Sequence, residues 1–450
     1  MKLVLVLLCF LSTTFSFAQT VSEKIGMAVQ SLEGDSTLKH GIIALYIIDN
    51  KTGAVVYDKN SQIGLPAGSV QKIITSVTAF ELLGKDFRYR TTLSYNGIIS
   101  NKVLHGDLYI NGTGDPTLGS WRYESTKEEK VLDDFTKAIA NAGISSISGS
   151  IFSKAIWEGE VTPDGWIWQD LGSYYGAGAR CLNWRENQYD VILYSGKDIG
   201  SGVEIAGTIP SKVEGLELLC DATAAAKGSG DNAFIYYPSE DKYFHIRGTI
   251  PVNESHFIIS GSMPFPERQL IHSLKEHISK ANFKGGETKV GSTVFFTHIS
   301  PSLDSINYWF LKKSINLYGE ALLKTIGYNK TNAGSTDSGI AIIKKFWSRI
   351  GIDKAALNMM DGSGLSPANR ITANALVTVL KYAQAQSWFP SFYNALPETN
   401  AIKMKSGSIG GVLSYTGYTK DYTFAFIVNN YAGSNSAMKE KMWRLLDNLK

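Results

Sequence analysis

The sequence has few residues that bind metal ions or form disulfides. Its 450 residues include only three cysteines and seven histidines. The histidines form no His-Glu-x-x-His pattern, and Cys181 and Cys220 lack the spacing of a zinc site. The glycine-containing segment 112–114 is followed by Pro116 rather than a helix, which disfavours a dinucleotide loop. We therefore expect no metal and no cofactor, and either a disulfide or two free thiols at the cysteines.

Charge of one sign and long apolar runs are also scarce. The formal net charge is +3, which is too near neutral to suggest a nucleic-acid partner. After residue 18 no stretch has the length and apolar character of a membrane helix, so we expect no integral membrane segment. Residues 1–18 combine Lys2, the apolar run Leu3–Leu11 and a small-residue end. This pattern predicts a secretory signal that is cleaved near Ala18-Gln19.

One short stretch has the features of a nucleophile at the start of a helix. Pro66 and Gly68 interrupt the preceding structure, and apolar residues then recur with helical spacing until Gly84. Ser69 therefore lies at a predicted helix N-terminus, where free backbone N–H groups favour a developing negative charge. Lys72 follows one turn later on the same face. A neutral Lys72 amine next to the Ser69 hydroxyl can act as its base.

A Ser-x-x-Lys pattern by itself is weak evidence. The same pattern begins at three other serines, namely Ser36, Ser239 and Ser436. None of these three leads into a strongly apolar helix. The ordinary interpretation of Ser69 is a helix cap, and that of Lys72 is a solvated lysine. Further motifs are needed to favour a catalytic interpretation.

Two further motifs supply polar groups to the same predicted site. Ser314-Ile315-Asn316 lies between two predicted helices, where a loop can direct a hydroxyl and an amide into a cleft. Lys405-Ser406-Gly407-Ser408 begins a predicted strand. Its lysine, hydroxyls and glycine provide a positive charge, hydrogen-bond donors and room for a substrate backbone. The similar Lys51-Thr52-Gly53 is a hairpin turn that precedes the nucleophile.

The order of predicted elements indicates an α/β (α+β) fold with a long insertion. A strand at 41–48 and a helical C-terminal part enclose a middle region of short strands and turns. Because both ends have the same mixed character, we predict one discontinuous catalytic domain, residues 19–93 and 295–450. Residues 94–294 form a β-rich insertion, which we divide into two nested parts.

The three motifs, in this order, resemble the signature of the penicillin-recognising serine hydrolases. The long separation of Ser69 and Ser314 exceeds that of a β-lactamase. Flanking segments 106–118, 166–170 and 361–366 are similar to the D-alanyl-D-alanine carboxypeptidase/endopeptidase family. The members of this family are the class C, type-4 low-molecular-mass penicillin-binding proteins, which form peptidase family S13. The resemblance covers nearly the whole mature chain, and implies a split β-lactamase/transpeptidase-like domain and a periplasmic location.

The resemblance implies a mechanism and its principal residues. Ser69 attacks a D-alanyl peptide bond and forms an acyl-enzyme, while Lys72 takes its proton. Ser314 relays a proton to the leaving amine, and Asn316 holds the substrate amide. The expected substrates are peptidoglycan peptides, and β-lactams are expected to acylate Ser69 as covalent inhibitors.

The resemblance also implies where the substrate binds. Lys405, Ser406 and Ser408 face the terminal carboxylate beside Gly407, and the N–H groups of Ser69 and Ser408 form the oxyanion hole. Asp170 matches the family position that meets the amino end of the stem peptide's diamino acid; its ordinary interpretation is a surface aspartate.

One departure concerns the position after Gly-Leu-Ser, where family members often carry an arginine. This chain has Pro367 there, and its nearest arginine is Arg370. Two alternatives to the D,D-peptidase remain. One is another Ser-x-x-Lys hydrolase, such as a β-lactamase or an esterase, and the other is a catalytically silent wall-binding protein. The balance of carboxypeptidase and endopeptidase activity, the diamino acid and the oligomeric state stay open.

Overall fold

The computed structural model describes residues 19–157, 159–239, 241–280 and 293–450, so the predicted signal segment lies outside the described residues. Both ends of the described chain join in one antiparallel sheet of six strands. Their order is Glu398–Thr399, Ile402–Ile409, Val412–Tyr418, Tyr422–Asn429, Ile42–Asp49 and Val55–Lys59. The strand Ile42–Asp49 pairs along its whole length with Tyr422–Asn429, which brings the N-terminal part beside the C-terminal part.

Helices cover both faces of this sheet, because its strands present apolar side chains in both directions. Ala44 and Ile48 belong to one core, whereas Ile43, Leu45 and Ile47 belong to the other. The second core is covered by Val21–Glu33 and Asn435–Leu446. The first is covered by six helices: Lys72–Leu83, Leu303–Lys312, Asn316–Thr331, Thr336–Ile350, Ala373–Gln384 and Phe389–Ala395.

The middle of the chain forms several small sheets with their own apolar cores. One joins Thr293–Ile299, Arg90–Tyr95, Leu108–Asn111 and Ile151–Lys154; a second joins Val203–Ile209, Gln188–Ser195 and Phe257–Ser262; a third joins Leu218–Cys220, Phe244–Pro251, Thr223–Ala225 and Asn232–Tyr236. In the C-terminal part Leu357–Asn358 pairs with Arg370–Ile371, whereas the middle region has further short paired strands at Ile98–Ser100, Val103–His105 and Ser146–Ile147. The helices of this region are Glu128–Asn141, Trp168–Leu171 and Pro266–Lys280.

The strands Arg90–Tyr95 and Thr293–Ile299 pair with each other where the chain enters and leaves the middle region. The boundaries that we predict after residues 93 and 294 fall within these two strands. The division into a discontinuous domain and an insertion stays a prediction.

Both cysteines of the described chain are free thiols. The sulfur of buried Cys181 accepts hydrogen bonds from the backbone N–H groups of Ile156 and Trp157, at 3.2 and 2.9 Å. Among the described ranges, none of the helices combines the length and the apolar character needed to cross a bilayer.

Candidate active site

Ser69 lies in a tight turn that leads directly into a buried helix. The turn is the 3₁₀ segment Gly68–Gln71, and the α-helix Lys72–Leu83 follows without interruption. Gly68 has a φ of 56°, and a Cβ there would lie 2.9 Å from the backbone nitrogen of Ser408. A Cβ on Gly407 would lie 2.8 Å from the backbone nitrogen of Ser69. Because both positions are glycines, the turn and the strand that follows Lys405 can approach closely enough to bring these two amides together.

The Lys72 amine is fully buried and is held by three acceptors. Its Nζ lies 2.8 Å from the Ser69 Oγ and 2.6 Å from the Asn316 Oδ1. It also donates to the carbonyl oxygen of Ser363 at 2.7 Å. Burial, and secondarily the charge of Lys405, lower the pKa of Lys72 well below its usual value. A neutral amine at hydrogen-bonding distance can accept the proton of the Ser69 hydroxyl.

The loop between two helices brings the second motif to this lysine. Ser314 follows the helix Leu303–Lys312 with a φ of 57°, and Asn316 begins the next helix. The Asn316 side chain accepts from Lys72 through its oxygen and donates through Nδ2 to the carbonyl oxygen of Tyr175 at 2.8 Å. Ser314 and Asn316 both line the cleft that contains Ser69.

The third motif lies on the strand Ile402–Ile409 beside the Ser69 turn. Lys405 is 2% exposed, and its Nζ donates to the carbonyl oxygen of Ser406 at 2.7 Å. Burial lowers the pKa of Lys405 to about 7. Ser408 lines the cleft, and its hydroxyl accepts from the Asn435 side chain. Lys405 and Ser406 lie on the same strand as Ser408, but neither is among the described residues that line the cleft.

Two buried carboxyl groups support the Ser69 helix from behind: Asp361, which begins one of the segments that carry the family resemblance, and Glu320, which the sequence analysis does not single out. Asp361 accepts hydrogen bonds from the side chains of Gln71, Trp166 and Asn369. Glu320 accepts from the backbone N–H of Gly362. Burial and the neighbouring Asp361 charge raise the pKa of Glu320 to about 8. The motif segment 361–366 therefore fixes the position of the helix that carries Lys72.

The middle region supplies the other side of a cleft with a volume of about 930 Å³. Asp170 lines this cleft and is half-buried. The Tyr175 hydroxyl donates to its carboxylate at 3.3 Å, and burial raises the pKa of Asp170. Sequence reasoning did not single out Arg122 and Glu186, which also line the cleft. No motif surrounds either residue, so only the folded chain brings them there.

The position of the missing family arginine also borders the cleft. Pro367 is exposed and lines it. Arg370 does not replace the missing guanidinium there, because its Nη1 donates to the carbonyl oxygens of Pro367 and Asn369, at 2.7 and 2.8 Å. The guanidinium is thus folded back onto its own loop.

A family model covers most of this chain. Residues 26–400 match the D-Ala-D-Ala carboxypeptidase 3 (S13) family. The protein belongs to the S13 family. It is therefore a serine-type D-Ala-D-Ala carboxypeptidase, a peptidase of a penicillin-binding family.

Individual relatives of this S13 protein are distant but match over most of their length. The chain is 24% identical to a D-alanyl-D-alanine carboxypeptidase from Actinomadura sp. (strain R39), covering 90% of this chain and 81% of the relative. It is 23% identical to the D-alanyl-D-alanine carboxypeptidase DacB from Haemophilus influenzae, covering 96% and 93%. The crystal structure of penicillin binding protein 4 (dacB) from H. influenzae matches with a TM-score of 0.78 and 18% identity, covering 94% of this chain and 98% of that one. The mixed helix-and-sheet fold is thereby confirmed.

Proposed function

We propose that this S13 protein cleaves D-alanyl-D-alanine ends of peptidoglycan stem peptides through an acyl-enzyme on Ser69. The observation that carries this proposal is the buried Lys72 amine, 2.8 Å from the Ser69 hydroxyl. Its lowered pKa favours the neutral form that takes the proton when Ser69 attacks the scissile carbonyl. The family membership supports the same reaction.

The neighbouring groups support the remaining steps. The N–H groups of Ser69 and Ser408 converge and can stabilise the oxyanion, a contribution of about 3–4 kcal/mol per donor. Asn316, held between Lys72 and the Tyr175 carbonyl, is oriented to bind the substrate amide. Ser314 returns a proton to the leaving amine, and water then releases the acyl group.

The substrate's charged ends have candidate partners. Lys405, with Ser406 and Ser408, binds the terminal carboxylate from the strand beside Ser69. Asp170 binds the free amine of the diamino acid from the other side of the cleft. The cleft of about 930 Å³ also has room for a second peptide, and we infer that the same site accepts D,D-cross-linked peptides. We also propose that the protein is exported to the periplasm, and that its chain divides into a split catalytic domain and an inserted region.

Mass spectrometry with benzylpenicillin tests the central step. The mature protein and its Ser69→Ala variant are incubated with the inhibitor, digested and mapped. We expect one covalent adduct on the peptide that contains Ser69, and none in the variant. Muropeptide assays with a monomeric pentapeptide and a D,D-cross-linked dimer then measure the two peptidase activities.

An assay of the penicillin that remains in the supernatant distinguishes the proposal from its alternatives. Intact penicillin without an adduct contradicts the proposal and favours a silent wall-binding protein. Consumed penicillin without a lasting adduct indicates rapid turnover and favours a β-lactamase. Cellular function retained in full by Ser69→Ala also contradicts a catalytic role.

A further inference from the structure

A rigid arginine lies in the wall of the cleft that contains Ser69. Arg122 lines this cleft, and its side chain is 18% exposed. Its guanidinium carbon lies 5.4 Å from the ring centroid of Trp121 and 5.5 Å from that of Trp309. Its Nε donates to both carboxylate oxygens of Glu186, at 2.9 and 3.1 Å. Two aromatic contacts and a charged partner therefore hold the guanidinium in one orientation.

Glu186 is a buried acceptor with an unusual backbone. Its side chain is 3% exposed, and its Oε1 also accepts from the hydroxyls of Ser120 and Tyr318, both at 2.7 Å. Arg185, Glu186 and Asn187 have consecutive φ values of 54°, 54° and 50°. Non-glycine residues rarely adopt this region, and such strain concentrates at functional sites. The chain thus accepts a costly conformation that directs Glu186 at Arg122.

Arg122 retains unused hydrogen-bonding groups. A guanidinium has five N–H donors, and Glu186 occupies the one on Nε. Within the described ranges, no residue accepts a hydrogen bond from either Nη group of Arg122. A fixed guanidinium with two free amino groups matches the geometry of a carboxylate. Arg122 is therefore prepared to bind an anionic group in the cleft.

The contacts of Arg122 relate it to the proton-relay serine. Trp309 belongs to the helix Leu303–Lys312, and Tyr318 belongs to the helix that begins at Asn316. These two helices meet at Ser314. Lys313 is exposed and also lines the cleft, which adds a positive charge beside Ser314. This part of the wall thus has the Lys313 charge, as well as the free amino groups of Arg122, near the residue that we propose returns a proton to the leaving amine.

We propose that Arg122, positioned by Glu186, binds a carboxylate of the leaving strand when the enzyme cleaves a D,D-cross-linked peptide. This inference rests on the proposed function. A terminal D-alanine is a small leaving group whose carboxylate is bound by Lys405 and its neighbours. In a cross-linked substrate the leaving amine belongs to a diamino acid, which brings a second peptide and further carboxylates into the cleft. Arg122 thereby favours cross-link cleavage over removal of a terminal D-alanine.

The test compares substrates on one variant. Because Arg122→Met leaves the buried Glu186 without its cation, the primary variant is Arg122→Met combined with Glu186→Gln, which removes both charges and retains an acceptor for Tyr318. Arg180→Met combined with Glu267→Gln is the matched control, since Arg180 forms a half-buried pair with Glu267 in the same region. The assays measure penicillin acylation and kcat/KM for a monomeric pentapeptide and a D,D-cross-linked dimer.

We expect kcat/KM for the dimer to fall about 10- to 100-fold in the double variant, the effect of losing a charge-assisted hydrogen bond. Penicillin acylation and pentapeptide cleavage stay within about threefold, because neither has a leaving strand. The control retains all three rates. A dimer whose leaving-strand carboxylates are amidated, apart from any carboxylate beside the scissile bond, is cut more slowly by the wild type, by the same factor, whereas the double variant does not distinguish the two dimers.

Other outcomes overturn the inference. Equal losses on all three substrates indicate that the pair only supports the fold, and an unchanged dimer rate removes any role for Arg122. A wild type that is acylated and cuts the pentapeptide but not the dimer retains the proposed carboxypeptidase and refutes the role of Arg122. A wild type that is neither acylated nor active refutes the proposed function and this inference with it.

Discussion

The two sides of the cleft treat charged groups differently. On the side of the six-stranded sheet, Lys72 and Lys405 are 0% and 2% exposed, and burial lowers both pKa values. On the side of the middle region, Asp170 is half-buried, and Arg122 keeps part of its guanidinium in the cleft. Burial favours the neutral Lys72 amine that proton transfer needs, whereas Lys405 on the same side must be protonated to bind a carboxylate. The sheet side thus holds the proposed base together with a buried recognising cation, whereas the recognising groups of the middle region stay partly exposed.

A displaced pKa alone does not mark a reacting group. Lys324 is 2% exposed, and burial lowers its pKa to about 8. Its Nζ donates to the carbonyl oxygens of Glu160, Val161 and Ala179, at 2.7, 3.2 and 3.0 Å. These acceptors are all main-chain groups of the middle region, so Lys324 joins that region to the helix Asn316–Thr331. Of these two lysines, Lys72 is the one that contacts the proposed nucleophile, Ser69.

The strongest test replaces each of these two buried lysines in turn by methionine. Lys72→Met removes the base, so we expect benzylpenicillin acylation to slow by about 10³- to 10⁴-fold or more. Lys324→Met leaves three buried carbonyl oxygens without a donor. We expect it to lower the free energy of unfolding by about 3 kcal/mol and to leave acylation within threefold. Stopped-flow acylation and denaturant unfolding measure the two effects.

The Lys72 effect must not come from unfolding. Lys72→Met needs an unchanged circular dichroism spectrum and a melting temperature near that of the wild type. If Lys324→Met slows acylation as strongly as Lys72→Met while staying folded, the distinction between the two lysines is wrong.

The pH profile tests the two buried lysines of the sheet side together, Lys72 as the base and Lys405 as the carboxylate-binding cation. As pH falls through the lowered pKa of Lys72, the amine gains a proton and kcat/KM falls. As pH rises through about 7, the free enzyme loses the Lys405 charge, and kcat/KM for a carboxylate-bearing substrate falls again. A bound carboxylate favours the protonated amine, so the alkaline limb of kcat lies at higher pH than that of kcat/KM.

The Lys405→Met variant tests whether the alkaline limb of the pH profile comes from Lys405. We expect kcat/KM for the pentapeptide to fall about 100-fold near pH 7 and the alkaline limb to disappear, because no titrating cation remains. Measurement of kcat and kcat/KM from pH 5 to about 9 checks both statements. An alkaline limb that persists in Lys405→Met assigns that titration to another group.

On the recognising side, Asp170→Asn removes a charge while keeping the size of the side chain. We expect kcat/KM to fall about tenfold for peptides with a free amine on the diamino acid, and penicillin acylation to stay unchanged. Asp198→Asn, at an exposed aspartate of the middle region, is the matched control. Acetylation of the substrate amine abolishes the difference between wild type and Asp170→Asn. An equal loss on penicillin contradicts a recognition role.

The same division explains what could be predicted from sequence. Ser69, Lys72, Ser314 and Asn316 occur in short motifs because each pair is fixed by one helical turn or one loop. Helical spacing predicted the Ser69 helix, and the structure confirms its end at Leu83 before Gly84. These four residues could therefore be recognised from the sequence, because their spacing reflects local geometry.

The recognising side depends on contacts between distant segments. Glu186 meets Arg122 and Tyr318 only after the small sheets fold, and its left-handed backbone occurs without a glycine signal. The helix Val21–Glu33 was missed although Ile25, Val29 and Leu32 have helical spacing, since the sequence around them is polar. Its stability comes from the core that it covers, which local sequence does not reveal.

The smallest predicted effect concerns Pro367, the position where the family resemblance leads us to expect an arginine. Pro367 is exposed at the cleft, and Arg370 is folded onto its own loop, so a new guanidinium at position 367 has room and no competitor from that side chain. We expect Pro367→Arg to raise kcat/KM about threefold for peptides whose diamino acid has a free carboxylate, because an exposed ion pair contributes only about 0.2–1 kcal/mol. Pro367→Ala controls for the loss of the ring. The gain should vanish when the carboxylate is amidated or at high salt. A tenfold gain would contradict this prediction, because it would mean that the new ion pair is buried rather than exposed to water.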